Sequence, residues 1–173
     1  MIRAYDGIEP EIADSAYVDP EATIIGDVTV GPDATVLPGA VIRGDGGPVV
    51  LEAKANVQDN ATIHADRNSD GVLLKEGAAM GHNAIVHNAT LGKQSLVGMN
   101  ATVLDDVVLE PHSAVAAGSL VPEGRTIETG TVVAGTPAEV FKEGVEKHSS
   151  LFMVGAYYAG HVDDIGTEPV DRN

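Results

Sequence analysis

Residues 30–41 read VGPDATVLPGAV, and they contain two complete hexads of one repeat. An aliphatic residue opens each hexad, and a small residue stands four positions after the opener. The same register, with three interruptions, runs through eighteen hexads of the chain. Their openers are Ile12, Val18, Ile24, Val30, Val36, Ile42, Leu51, Val57, Ile63, Leu74, Met80, Val86, Leu91, Val97, Val103, Leu109, Val115 and Val121.

A period of six matches neither an amphipathic helix nor the alternation of an ordinary strand. It is typical of a solenoid in which each hexad forms one side of a triangular coil, with three hexads to a turn. The openers would fill the interior, and the small residues would allow tight corners. The repeat therefore predicts an all-β solenoid, a parallel β-helix of about six turns over residues 12–136, preceded by an N-terminal segment 1–11.

The hexad pattern ends at Pro137, and helical spacing of apolar residues replaces it. A second helix is predicted from Leu151 to His161, so that residues 137–165 form a C-terminal α-helical segment packed alongside the coil. Residues 166–173 are predicted to be a flexible tail. The residues with helical spacing in the first half of the segment are Ala138, Phe141, Val145 and His148.

Composition restricts the partners of the chain. Its 173 residues include 26 acidic and 10 basic residues, a net charge of −16, and no cysteine. Such a surface repels nucleic acid and anionic membranes, so we expect neither as a partner. There is no signal-peptide pattern and no apolar run long enough to span a bilayer, which predicts a cytoplasmic protein. The acidic, lysine-poor composition favours a halophilic protein, with an ordinary acidic protein as the alternative.

The repeat is interrupted at three places. Three extra residues separate Ile42 from Leu51, and five extra residues separate Ile63 from Leu74. The hexad opened by Val86 is one residue short. Because local departures from a regular pattern concentrate at functional sites, we expect functional side chains beside these interruptions.

Histidines stand at or beside two of the interruptions. His64 and His87 are each second in their hexads, and these hexads are three apart, so both side chains lie on one face in adjacent turns. They would reach one metal ion at about 2.0–2.1 Å from each nitrogen. His82 is third in its hexad and lies on a different face, beside Gln58 and Asp59 of the preceding turn.

A second copy of the chain would bring the two faces together. In a cyclic homotrimer, one subunit offers His64 and His87 while its neighbour offers His82, which gives three identical interface sites. On this hypothesis, a monomer binds no catalytic metal. Two alternatives remain: these histidines are ordinary surface side chains, or they join an interface through hydrogen bonds only.

Five motifs in this order resemble the γ-class carbonic anhydrases and their close relatives in the hexapeptide-repeat superfamily. The resemblance covers roughly residues 8–160 and implies that the β-helix is left-handed. The motifs are VIRGD (41–45), NVQDNATIH (56–64), MGHNAIVHNATLG (80–92), VGMNATVLD (97–105) and VVAGTPAEV (132–140).

The resemblance also implies the residues of an active site. Three histidines would bind a catalytic metal between the subunits of a homotrimer, and they match His64, His82 and His87. The metal would be Zn²⁺, although Fe²⁺ or Co²⁺ also accept imidazole ligands. The other matches are Arg43 with Asp45 as an interface ion pair, Gln58 with Asn56 and Asp59 to orient the metal-bound water, and Tyr158 or Tyr157 near the metal.

The activity implied is the reversible hydration of CO₂ to bicarbonate by a metal-bound hydroxide. One departure weakens it: some family members carry a glutamate for proton transfer where this chain has Gly46. Asp66 and Asp70, in the five-residue insertion, would relay protons or belong to a solvated loop. The rival functions are an acyltransferase that uses acyl-CoA and a histidine base, and a catalytically weak metal-binding scaffold subunit.

Overall fold

A computed structural model describes residues 1–161 of the chain, in which twenty short strands precede two short helices. The helices are a 3₁₀ turn over Ser150–Phe152 and α1 over Val154–Ala159. The strands are β1 (Ile2–Arg3), β2 (Glu11–Ile12), β3 (Tyr17–Val18), β4 (Thr23–Val30), β5 (Thr35–Val36), β6 (Val41–Leu51), β7 (Asn56–Val57), β8 (Thr62–His64), β9 (Val72–Leu74), β10 (Ala79–Met80), β11 (Ile85–His87), β12 (Thr90–Leu91), β13 (Leu96–Val97), β14 (Thr102–Val103), β15 (Val108–Leu109), β16 (Ala114–Val115), β17 (Leu120–Val121), β18 (Thr126–Ile127), β19 (Val132–Gly135) and β20 (Ala138–Lys142).

The strands stack into a left-handed parallel β-helix with three faces, which confirms the predicted fold. One face consists of β3, β5, β7, β10, β13, β16 and β19 in parallel order, so the coil has about seven turns. The other two faces form one continuous sheet, because β4 and β6 each run around the corner between them. The seventh turn arises because the hexads opened by Ile127 and Val133 continue the coil beyond Val121.

The interior is filled by the residues that open the hexads. Every opener from Ile24 to Val121 is at most 1% exposed, and Ile12 and Val18 pack partly against this core at the N-terminal end. The small residue four places after the opener is also buried at most corners, for example Ala34, Ala61 and Ala84. Burial of this apolar column is the main force that holds the turns together.

The corners depend on a position that the pattern of openers and small residues does not mark. The residue three places after the opener adopts a left-handed backbone conformation at corner after corner. Asparagine, aspartate and glycine tolerate this conformation best, and they supply most of these positions. Examples with φ between 56° and 58° are Asp33, Asn60, Asn83, Asn100 and Asp106.

The predicted first C-terminal helix is wrong. Residues 138–142 form β20, which pairs antiparallel with β19. The last coil would otherwise leave the backbone groups of β19 unpaired, and β20 satisfies them. The helical spacing was misleading because Phe141 is 74% exposed and buries no apolar face.

The second predicted helix is present, although it is short. Phe152 of the 3₁₀ turn is 1% exposed, and α1 lies directly on the coil backbone. A Cβ atom on Gly155 would lie only 2.5 Å from the carbonyl oxygen of Lys54, so glycine permits this close approach. Neither helix of the described chain is long enough to cross a bilayer. The predicted tail, 166–173, lies outside the described residues.

His112 supports the docking of this C-terminal segment. Its ring meets the Phe152 ring edge-on at 5.7 Å, and its buried Nδ1 atom makes no hydrogen bond with the described residues. Burial lowers the pKa of His112, and the positive charges of Lys147 and Lys93 lower it further. The folded protein therefore favours the neutral imidazole.

This lowered pKa predicts a loss of stability in mild acid. As the pH falls below about 6.5 toward the pKa in the folded state, the unfolded chain binds a proton at His112 and the folded chain does not. The free energy of unfolding should therefore decrease over this window. Asparagine tolerates the left-handed conformation of this residue, so His112→Asn should fold and show a smaller decrease in urea titrations of metal-free protein. An equal decrease in the two proteins would contradict this account.

Candidate metal centre

Three adjacent strands place the central side chains of the site. Arg43 of β6, His64 of β8 and His87 of β11 are register partners in neighbouring coils. Each follows an opener whose side chain points into the core, so each of the three points outward on the same face. The hexad numbering thus predicted the column correctly.

The two histidines in this column face each other. His64 Nδ1 lies 3.0 Å from His87 Nε2, and the ring centroids are 5.1 Å apart. Two nitrogens bound to one zinc ion with tetrahedral geometry lie about 3.3 Å apart. The observed separation is close to that value.

A carboxylate lies behind each imidazole. His64 Nε2 lies 3.1 Å from Asp45 Oδ1, and His87 Nδ1 is hydrogen-bonded to Asp105 Oδ1. Since an ionised carboxylate only accepts hydrogen bonds, these outer nitrogens carry the protons, and the two facing nitrogens of neutral rings both carry lone pairs. Lone pairs at this distance repel each other unless a proton or a metal cation lies between them. The donor set therefore fits a divalent metal ion.

Arg43 fixes the position of Asp45. Its Nη1 atom donates to both carboxylate oxygens, at 2.8 and 2.6 Å. Burial raises the pKa of Asp45, but the hydrogen bond and charge of Arg43 and a hydrogen bond from His64 outweigh it, so the pKa lies below its ordinary value. Asp45 is thus held as a carboxylate that orients His64.

His82 belongs to a separate cluster. It is not among the described side chains that gather within 4.8 Å of the facing nitrogens. Its Nδ1 atom lies 2.9 Å from Asp59 Oδ2, which leaves Nε2 directed elsewhere. Gln58 is 7% exposed and donates to Asn56 Oδ1 at 3.1 Å, and the buried Asn56 donates to Thr35 at 2.7 Å.

Helix α1 places two tyrosines over this second cluster. Tyr158 is half-buried, and burial together with the charge of Asp59 raises its pKa, so its hydroxyl stays protonated at neutral pH. Tyr157 is 60% exposed and stacks on His161. The structure thus places Tyr158 within the field of Asp59. An apolar pocket of ≈ 480 Å³ lies here, lined by Gln58, Ser150, Met153, Val154, Tyr157 and Tyr158.

One chain therefore carries two separate sets of residues. We use the name donor pair for His64 and His87 with their carboxylates. We use the name acceptor cluster for the second set, which consists of His82, Asp59, Gln58, Asn56 and Tyr158. The donor pair lies beside a polar cavity of ≈ 280 Å³. The residues that line this cavity are Tyr5, Arg43, Asp45, Gly46, His64, Asp66 and Arg67.

Comparisons with known proteins agree with this geometry. A scan against protein-family models finds no match. The carnitine operon protein CaiE of Proteus sp. (strain LE138) is 37% identical over 138 residues, which are 80% of this chain and 70% of that protein. The gamma carbonic anhydrase 2, mitochondrial, of Arabidopsis thaliana is 37% identical over 139 residues, 78% of this chain and 50% of that longer protein. The chain belongs to the γ-carbonic anhydrase-like family of hexapeptide-repeat proteins.

Solved structures support the same assignment. The crystal structure of a hexapeptide transferase family protein from Anaplasma phagocytophilum superposes with a TM-score of 0.88. It is 31% identical, and the match covers 94% of this chain and 96% of that one. The resemblance of the sequence motifs to this family is thus confirmed.

The motif comparison missed two carboxylates. Asp105 lies in the hexad opened by Val103, three hexads after the hexad of His87. Hexads three apart share a face of the coil, and this spacing could have indicated that Asp105 lies near His87. For Asp66 the sequence predicts a proton relay or a place in a solvated loop, yet Asp66 lies 3.7 Å from both facing nitrogens. Asp66 belongs to the insertion after His64, where the hexad period does not determine side-chain direction.

The structure gives Gly46 a steric role within this family. A Cβ atom there would lie 2.3 Å from the carbonyl oxygen of Ala65 and 2.7 Å from the carbonyl carbon of Asp66. The backbone of the insertion after His64 therefore packs directly against residue 46. Glycine at this position follows from that close contact, and a side chain does not fit without a backbone shift.

This contact predicts the effect of placing a glutamate at position 46. Gly46→Glu should lower the free energy of unfolding by about 1–3 kcal/mol, because the backbone must move. It should not increase the rate of CO₂ hydration. Urea titration and a stopped-flow assay of the same sample measure both. A variant with unchanged stability and faster hydration would show that Gly46 marks a lost proton-transfer group instead.

Proposed function

We propose that the protein is a metal-dependent carbonic anhydrase that catalyses the reversible hydration of CO₂ to bicarbonate. The observation that carries this proposal is the pair of imidazole nitrogens, on His64 and His87, that face each other with a carboxylate behind each ring. A zinc ion bound by three imidazoles supplies a water acidic enough to act as a nucleophile at neutral pH. Fe²⁺ or Co²⁺ would fit the same ligands.

We infer that the working form is a homotrimer in which the donor pair of one chain meets the acceptor cluster of the next. His82 is the third imidazole, and Asp59 orients its ring. Apolar side chains near His82 support an interface there: Ile85 is 43% exposed and Met99 is 51% exposed. Met99 occupies the corner directly beside His82, since Asn100 donates to the His82 carbonyl. Rotational closure then generates three identical sites.

The acceptor cluster would supply the groups that handle the substrate. Gln58 offers both a donor and an acceptor on one amide, so it can orient a water and a substrate oxygen at once. Its hydrogen bond to Asn56 fixes the direction of the amide. The apolar pocket beside Tyr158 suits the uncharged CO₂ molecule, because water is poorly held there.

The polar cavity beside the donor pair has a balanced lining. Arg43 and Arg67 line it together with Asp45 and Asp66. A divalent metal ion held by His64 and His87 would add positive charge beside this cavity and would attract the bicarbonate anion. Asp70 lies in the same insertion as Asp66 but lines a different cavity, with Asn88 and Asp106.

The acyltransferase alternative rests on the fold and on the similarity to the hexapeptide transferase family protein of Anaplasma. A general base needs a free imidazole nitrogen within reach of the acceptor. In His64 and His87 both ring nitrogens face either a carboxylate or the other ring, so neither imidazole suits that role. Of the three histidines, only His82, whose Nδ1 atom lies beside Asp59, keeps a nitrogen free to act as the base, and the facing pair His64 and His87 would then have no function. The scaffold alternative shares the metal site and differs only in turnover, so a rate measurement separates it from the enzyme.

The charge of the chain bears on its environment. A net charge of −16 with five lysines supports a halophilic protein in a high-salt cytoplasm, where screening reduces the self-repulsion of the surface.

Removal of one ligand tests the proposed function. His87→Ala should lower the rate of CO₂ hydration at least about 100-fold. Mutation of a residue that only hydrogen-bonds to a metal ligand typically costs about 10–100-fold in metal affinity or activity, and loss of the ligand itself should cost more. Metal content should be measured on the same chelator-free sample, and about one ion per chain is expected for the wild type. His148→Ala, an exposed histidine elsewhere, is the matched control and should keep the wild-type rate. An unchanged rate in His87→Ala, or a wild type without metal, would refute the proposal.

A further inference from the structure

We propose that Asp66 is a third metal ligand within a single chain. His64, Asp66 and His87 would then bind a divalent transition-metal ion without the histidine of a neighbour. The inference deepens the proposed function and rests on it for the role of the two histidines. It replaces the sequence-based hypothesis that a monomer binds no metal.

The carboxylate lies where a third ligand belongs. Asp66 Oδ1 is 3.7 Å from His64 Nδ1 and also 3.7 Å from His87 Nε2. It therefore caps the gap between the two facing nitrogens from one side. Ligand atoms on one ion lie about 3.0–3.4 Å apart when each is about 2.1 Å from it. The Asp66 side chain is 58% exposed and is free to turn by the few tenths of an ångström required.

The backbone beneath this carboxylate is held in place. The Asp66 amide donates to Asn88 Oδ1 at 2.8 Å, and the Ser69 hydroxyl donates to the Asp66 carbonyl at 2.8 Å. Asn88 directly follows His87, in the hexad that is one residue short. Two interruptions of the repeat, the insertion after His64 and the shortened hexad, thus meet at Asp66. Their joint effect is to aim a carboxylate at the donor pair.

The local charge also suits a divalent cation. Asp45, Asp66 and Asp105 bring three negative charges around two neutral imidazoles. Arg43 neutralises one of them through its ion pair with Asp45. Arg67, the other nearby cation, points its guanidinium toward the Tyr5 hydroxyl at 3.5 Å. One divalent ion between the facing nitrogens balances the remaining two charges.

A set of two histidines and one carboxylate leaves several coordination positions open. Such sets suit Fe²⁺ and Co²⁺ as well as zinc. A chain with this set can capture its metal before it assembles, and the His82 imidazole of a neighbouring subunit then joins an ion that is already bound. Metal binding and trimer formation would be separable steps.

The test removes His82 so that only ligands of one chain remain. His82→Ala, stripped of metal with a chelator, is titrated with Co²⁺ and followed by visible absorption and elemental analysis. We expect about one Co²⁺ per chain. Asp66→Asn in the His82→Ala background should weaken the Kd at least about tenfold. Asp70→Asn in the same background is the matched control, because Asp70 is an exposed aspartate of the same insertion, and should bind Co²⁺ like His82→Ala. His82→Gln replaces His82→Ala if the alanine variant does not fold by circular dichroism.

The outcomes separate this inference from the proposed function. An absence of Co²⁺ binding in a folded His82 variant, or equal binding with and without Asp66, would overturn the role of Asp66 and leave the shared three-histidine site intact. Stoichiometric binding that depends on Asp66 supports the inference. If Co²⁺ binding depends on Asp66 but the metal-loaded wild type does not hydrate CO₂, the carbonic anhydrase proposal fails while the Asp66 site stands.

Discussion

The site depends on one constraint: each coil closes after three sides, so residues one turn apart lie side by side. That closure requires a buried aliphatic residue on every side and a left-handed backbone residue at the corners. The strand spacing of roughly 4.8 Å then sets the distance between neighbours in a column. Two outward-facing histidines in successive turns are thereby brought within bonding distance of one ion, without any further adjustment of the chain.

The regular part of this arrangement could be predicted from the sequence. The period of six identified the openers. Numbering the hexads placed His64 beside His87, and it placed His82 on another face. The irregular part could not be predicted in this way. Asp66 lies in the insertion after His64, where the period of six does not determine side-chain direction. Asp105 lies in a regular hexad on the face of His87, but the motif comparison gives it no role. The strand β20 replaces the predicted helix because the helical spacing of Ala138 and Phe141 does not mark a buried face: Ala138 is 1% exposed, whereas Phe141 is 74% exposed.

The interruptions of the repeat have a common physical role. A perfectly regular coil would present the same small outward side chains in each turn and would offer no cavity. The insertion after His64 adds a wall beside the donor pair, and Gly46 allows its backbone to pack closely. The shortened hexad places Asn88 where it holds the Asp66 amide. Stability thus comes from the repeat, while the surroundings of the donor pair come from its departures.

The division of the site into a donor pair and an acceptor cluster is the central claim, and subunit mixing tests it most directly. The His82→Ala variant keeps the donor pair, and a His64→Ala, His87→Ala double variant keeps the acceptor cluster. Each alone should hydrate CO₂ at the background rate. After joint unfolding and refolding with metal, mixed trimers should recover a substantial fraction of the wild-type rate. If the refolded mixture forms trimers yet stays at the background rate, the active site is not shared between chains.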